Sequence, residues 1–318
     1  MQVIRNLENV PECMRECVAV LGNFDGVHRG HQAVIGCGAD LARQGGIPLV
    51  VLTFEPHPRS FFRPHDAPFR LTPFQNKAHH IEALGVDALI ALTFDEALSR
   101  LGGEEFIKHV IVQGMAAKHI VVGQDFRFGH QRSGDTALLC AYGEQGGYAV
   151  MTVDPVSSAD AEIYSSSHIR EQLETGKPGH AAAMLGRPFE IEGMVEHGDK
   201  RGRTLGFPTA NINIGEYIRP ARGVYAIRAG LEKDGELHWI DGVANFGNRP
   251  TIGGDSLLLE VHLFDFDGDL YGKVLRVALI EYLRAERKFD GLEALKAQID
   301  EDGATARRVL TVRAAGAS

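Results

Sequence analysis

The chain has 318 residues, 44% hydrophobic and 24% charged, with a net charge of −9. That length implies about two domains, each able to bury a core. The acidic balance argues against a nucleic-acid binder, which would carry a basic patch, and no apolar run approaches the roughly 18 residues of a membrane span. The N-terminal MQVIRNLENVPECMREC holds acids and no apolar stretch, so it does not read as a signal peptide. Cys13, Cys17, Cys37 and Cys140 all lie in the first half. Without a second pair at ligand spacing they read as structural thiols of a reducing, cytoplasmic setting.

In chain order, apolar runs at Cys17–Leu21, Pro48–Thr53, Ala88–Thr93, His119–Val122 and Tyr148–Val153 predict strands. Amphipathic stretches at His31–Arg43, Pro73–Leu84 and Thr136–Glu144 predict helices between them. This alternation implies a parallel sheet covered by helices, with ligands beyond the carboxyl ends of its strands. After about residue 186 the pattern changes to short alternating segments: Phe189–Val195, Gly223–Ala229, His238–Ala244, Leu257–Phe266 and Val274–Leu283. Turn residues separate them, which implies an antiparallel barrel or sandwich, and Leu292–Asp300 reads as a closing helix. The expected domains are therefore 1–185 and 186–318.

The first chemical motif is GNFDGVHRGH, Gly22–His31, at the end of the first strand. With a helix starting near Gly30, His28 and His31 flank its first turn, where free amides and the dipole favour an anion. Two imidazoles there could stabilise charge on a reacting phosphate, and Gly30 removes a side chain where a nucleotide must approach. The structural alternative is that His31 caps the helix and His28 decorates the loop. TFEPHPRSFF and VGQDFRFG place Phe62, Asp125 and Phe128 beyond other strands, where aromatic rings suit a large planar ligand or belong to the core.

Tyr164–Arg170, YSSSHIR, puts Ser165 and Ser166 at a helix start and Arg170 one turn on. The serines read as an N-cap before HIREQLE. In the second half, GRTLGFPTAN sets Thr209 and Asn211 two apart, on one side of an extended strand. Their oxygens could hold one Mg²⁺ that keeps water and phosphate ligands, with Gly206 near the phosphates; a polar edge strand is the alternative. On LLLEVHLF, Glu260, His262 and Phe264 share a face, so Glu260 is either solvent-facing or a placed general base. Asp265, Asp267 and Asp269 read as turn residues.

His28-Arg29-Gly30-His31 resembles the HxGH signature of the nucleotidyltransferase superfamily, and YSSSHIR resembles its second, serine-bearing loop. GRTLGFPTANI, GVANFGNRPT, EVHLFDFDGDLYG and LRAERKF resemble riboflavin kinase. In this order they resemble the prokaryotic bifunctional riboflavin kinase/FMN adenylyltransferase (FAD synthetase) family. The resemblance implies an α/β Rossmann-like nucleotidyltransferase domain followed by a small antiparallel β-barrel kinase domain with a C-terminal helix. It implies that the barrel phosphorylates riboflavin with ATP, Thr209 and Asn211 holding Mg²⁺ and Glu260 acting as base. The first domain would then adenylylate FMN to FAD through His28, His31 and Arg170. Gly22, Phe24, Gly30, Ser165, Ser166 and Gly206 would contact nucleotide, and Phe62, Asp125, Phe128 and Arg284 flavin. Two positions depart from the family pattern: SSS stands where SST is usual, and Phe246-Gly247-Asn248 replaces an Ile-Gly-Thr segment. A flavokinase with weak adenylyltransferase activity and a flavin carrier without turnover are the competing readings. The partners expected are riboflavin, FMN and ATP, with no nucleic acid and no membrane; the sequence sets no oligomeric state.

Overall fold

A computed structural model describes residues 1–158, 161–196, 207–233, 235–251 and 254–315. By contacts the chain divides into two compact units, 1–67 with 72–165, and 68–71 with 166–318.

The first unit is built on a parallel six-stranded sheet. Its strands are β1 Gln2–Ile4, β2 Val18–Leu21, β3 Leu49–Glu55, β4 Ala88–Thr93, β5 His119–Gly123 and β6 Ala149–Val153, in the order β1-β4-β3-β2-β5-β6. The runs VAVL, LVVLTF and ALIAL are buried residue after residue because both sheet faces are covered, as a parallel sheet requires. Successive side chains leave on opposite faces. Ala19, Leu21, Val50 and Leu52 therefore join one cluster with the π-helical segment Ile107–Met115. Val18, Val20 and Val51 join another with Ile35 and Ala42 of the helix Arg29–Gly45. Cys17 is fully buried, and desolvation pushes its thiol up to about 12, so it stays protonated and acts as a packing residue.

The second unit is a closed antiparallel barrel. Its strands are β7 Phe189–Glu196, β8 Ala210–Asn213, β9 Gly223–Lys233, β10 Glu236–Thr251, β11 Gly254–Leu263 and β12 Val274–Arg284, in the cyclic order β8-β11-β10-β9-β12-β7. Alternate residues Tyr225 and Ile227 of β9, and Leu259 and Val261 of β11, are buried and fill the interior. On the outer wall, Val224, Ala226, Val243 and Phe264 meet Ala306 and Leu310 of the C-terminal helix. That helix runs Leu292–Ala315, well beyond the expected Asp300, because its apolar positions continue along this outer patch. The helices Ser166–Glu174 and Pro178–Leu185 also belong to this unit, so the contact boundary precedes residue 186.

Arg284 is engaged structurally. Its Nε donates to both carboxylate oxygens of Asp302 at 2.8 and 3.1 Å, its Nη2 donates to Oδ2 at 2.6 Å, and Nη1 donates to the Ala285 carbonyl at 2.9 Å. The guanidinium thus ties β12 to the C-terminal helix instead of projecting toward a ligand. Asp302→Ala leaves this cation without its partner, and breaking such a buried pair costs about 3 kcal/mol. A denaturation curve read by Trp239, the chain's single tryptophan, should show the loss.

Candidate functional sites in the two units

In the first unit the site grows from the carboxyl end of β2. Gly22 and Phe24 shape the turn: a Cβ on Gly22 would lie 2.8 Å from the Phe24 ring, which packs there at 2% exposure. Phe24 thus supports the site from below, with its ring edge-on to His31 at 5.3 Å. The helix Arg29–Gly45 follows, and its cap is His28, not His31: His28 Nδ1 accepts from the His31 amide at 3.4 Å. An accepting Nδ1 leaves the neutral ring's proton on Nε2, a donor. The two imidazoles stack with centroids 3.6 Å apart.

Gly30 makes this stack possible. A Cβ there would sit 3.0 Å from the His28 ring and 3.5 Å from the Tyr164 carbonyl. The space that the sequence suggested for nucleotide is therefore shared with an imidazole and with the residue preceding Ser165. His31 is driven well below its ordinary pKa of 6.5, first by burial, then by the charges of His28 and Lys77. It is neutral at pH 7, and its Nδ1 is buried without a hydrogen-bond partner.

Other predicted site residues follow the carboxyl ends of neighbouring strands. Phe62 is 62% exposed, its ring edge-on to Phe61 and Phe94. Asp125 follows β5 and is exposed. Phe128, by contrast, is buried in the core against Phe106 and Phe126, so its ring is largely spent on packing. Ser165 precedes the helix Ser166–Glu174, which Ser166 opens. Arg170 falls in the second unit, where its Nε donates to the Phe69 carbonyl at 2.8 Å.

Sequence reasoning passed over two buried polar groups of the first unit. Asp25, at 2% exposure, accepts the Thr72 amide at 3.0 Å, while the Gly26 amide donates to the Thr72 hydroxyl at 2.8 Å. Lys77 is fully buried in the helix Phe74–Glu82. Asp25 stood inside the quoted turn, and its acid among glycines was the available signal. Lys77 offered none, because FQNKAHH reads as an ordinary polar helix face.

In the second unit, Thr209 lies just before β8 and Asn211 within it. This strand is no edge: it pairs with β11 on one side and β7 on the other, because the barrel closes through it. The register sets Glu260 directly opposite Asn211 and, on its other side, Asn245. Paired residues point to the same face, so a half-buried carboxylate is flanked by two amides on the outer wall. Asn211 is 6% exposed. His262 fixes the approach to it: the ring Nδ1–H donates to the Pro208 carbonyl at 2.9 Å. Beside Thr209 opens a cavity of about 310 Å³ lined by Val195, Pro208, Val261, Phe266 and Tyr271, within the size range of small-molecule sites. Gly206 lies outside the described residues.

Comparison with known proteins falls on the same division. The family described as FAD synthetase matches residues 10–167, and the family described as riboflavin kinase matches 185–310. The bifunctional riboflavin kinase/FMN adenylyltransferase of Haemophilus influenzae is 40% identical over 307 residues, 96% of this chain and 98% of that protein. Its counterpart from Pseudomonas fluorescens is 43% identical over 308 residues, covering 96% and 97%. The Bacillus subtilis counterpart is 39% identical over 298 residues, 92% of each chain. A crystal structure described as a macrolide-efflux protein from Streptococcus pneumoniae superposes with a TM-score of 0.84 at 30% identity, covering 96% and 98%. Among the described residues of the present chain no helix is long and apolar enough to cross a membrane.

Proposed function

The chain belongs to the bifunctional riboflavin kinase/FMN adenylyltransferase family, and from that premise we propose that it makes FAD in two ATP-dependent steps, one in each unit. In the barrel, Glu260 takes the proton of the riboflavin 5′-hydroxyl as that oxygen attacks the γ-phosphorus of ATP and ADP departs. The cavity beside Thr209 receives the nucleotide base.

The donor set suits magnesium in one form only. Among the described residues no three His, Cys, Asp or Glu gather around a common point, so the available ligands are neutral oxygens. Thr209 and Asn211 fit a Mg²⁺ that arrives on ATP with phosphate and water ligands of its own. When bound, that ion would neutralise charge on the transferring phosphate.

In the first unit a phosphate oxygen of FMN attacks the α-phosphorus of ATP, and the bond to pyrophosphate breaks. The His28 Nε2–H and neutral His31 stabilise the charge on the crowded phosphorus. Ser165, at the end of this unit, donates to the phosphates, and Phe62 and Asp125 face the flavin. No protein nucleophile is needed. Both steps consume ATP, which places the enzyme in the cytoplasm, with small molecules as its partners and neither nucleic acid nor membrane among them. The functional division then follows 1–185 and 186–318.

One observation carries the two-step reading: the carboxylate between two amides and the stacked histidines belong to different compact units. Purified protein given riboflavin and Mg²⁺·ATP should produce FMN first and FAD after it. FMN alone would leave a flavokinase, and binding with neither product would leave a flavin carrier.

A further inference from the structure

The Lys77 ammonium is fully buried. It donates to the Asn23 carbonyl at 2.8 Å and to the Thr53 hydroxyl at 3.3 Å, with a Glu55 carboxylate oxygen at 4.0 Å. The Thr53 hydroxyl in turn donates to the same Asn23 carbonyl at 3.1 Å. Asn23 opens the turn that ends in His28, and Thr53 and Glu55 lie at the carboxyl end of β3. Taking a cation fully out of water is costly, and an apolar residue of similar volume would avoid that cost. Nothing in the adenylyl-transfer chemistry described above uses it.

We propose that Lys77 is a positioning residue for adenylyl transfer, its ammonium holding the Asn23 carbonyl so that the Gly22–Val27 turn presents His28 and His31 in their stacked arrangement. It also sets the electrostatics of that pair. The titratable groups that act on His31 are His28, from its own turn, and Lys77, from the helix Phe74–Glu82. Burial first, then repulsion that protonating His31 would meet from His28 and Lys77, favours the neutral imidazole. Lys77 acts through the turn and through His31, not by touching substrate or the reacting phosphorus.

The inference rests on the adenylyl-transfer reading, and its test separates the two. Full-length wild type, Lys77→Met and Lys77→Arg are compared by FAD formation from supplied FMN and by FMN formation from riboflavin. A ¹⁵N-histidine NMR titration of each reports His31. A geometric slip of about 1 Å at a reacting centre costs on the order of 10²-fold, so Lys77→Met should lower kcat for FAD formation by about that factor, with little change in KM for ATP. FMN formation should be unchanged, and His31 should titrate at higher pH than in wild type. Lys77→Arg keeps the charge on a wider head, so it should lower kcat while leaving the His31 titration in place. A folded Lys77→Met with wild-type kcat, or with an unmoved His31 titration, overturns the proposal. If Lys77→Met does not fold, Lys77→Arg decides: a His31 titration displaced despite the retained charge, or an unaltered kcat, overturns it. If wild type makes no FAD at all, the adenylyl-transfer reading fails, while the titrations still test the link from Lys77 to His31.

Discussion

Glu260→Gln should lower FMN formation from riboflavin by about 10²–10⁴-fold, the usual contribution of a placed general base. FAD formation from supplied FMN should be untouched. The amide keeps the shape of the carboxylate and can still hydrogen-bond, so the pairing of β11 with β8 and β10 survives. What it loses is the ability to accept the hydroxyl proton. The expected signature is therefore a fall in kcat with KM for riboflavin and ATP largely retained. Equal loss of both activities would mean that the two reactions do not divide between the units as argued. An unchanged rate of FMN formation would remove Glu260 from the chemistry and leave it a wall residue. Asn211→Ala separates the roles further. It removes an oxygen assigned to Mg²⁺·ATP, so it should raise KM for ATP as well as lowering kcat, a combination that Glu260→Gln does not produce.

How much of this was legible in the sequence differs by element, for physical reasons. The central strands of the sheet stood out because two-sided burial forces unbroken apolar runs such as LVVLTF. The barrel strands stood out because one face fills the interior, giving alternation. β1 was missed: three residues at a sheet edge, one of them buried, leave no period to detect. The adjacency of Asn211 and Glu260 could not be read from residues 49 positions apart, since it depends on strand register. The same holds for Arg284, whose guanidinium suggested a ligand until the C-terminal helix brought Asp302 against it. His28 and His31 were legible as a pair, but their division of labour was not. Imidazole is an uncommon helix cap, and only the Gly30 position, open enough for the ring to lie over the first turn, makes His28 one.

His31→Gln should lower FAD formation from supplied FMN by about 10²–10³-fold, the typical loss on removing a group that stabilises transition-state charge. FMN formation should be retained. The same substitution has a second, independent consequence for stability. In the unfolded chain this imidazole titrates near 6.5, whereas in the folded first unit it titrates well below that value because burial, and then repulsion from His28 and Lys77, disfavours its protonated form. Between those two values the unfolded state binds the extra proton, so stability must rise with pH across that interval and fall as pH drops below about 6.5. Glutamine carries no titrating group and removes this contribution, so the variant's stability should change less steeply over the same range. Hydrogen exchange of the β2 and β3 amides reads the first unit directly, whereas Trp239 reports only the barrel. Parallel pH profiles for wild type and variant would show that His31 is not held neutral by its surroundings. Loss of FMN formation alongside FAD formation would show that its effect is not confined to adenylyl transfer. A steeper wild-type profile together with a selective loss of FAD formation ties one buried imidazole to both the folding equilibrium and the second reaction.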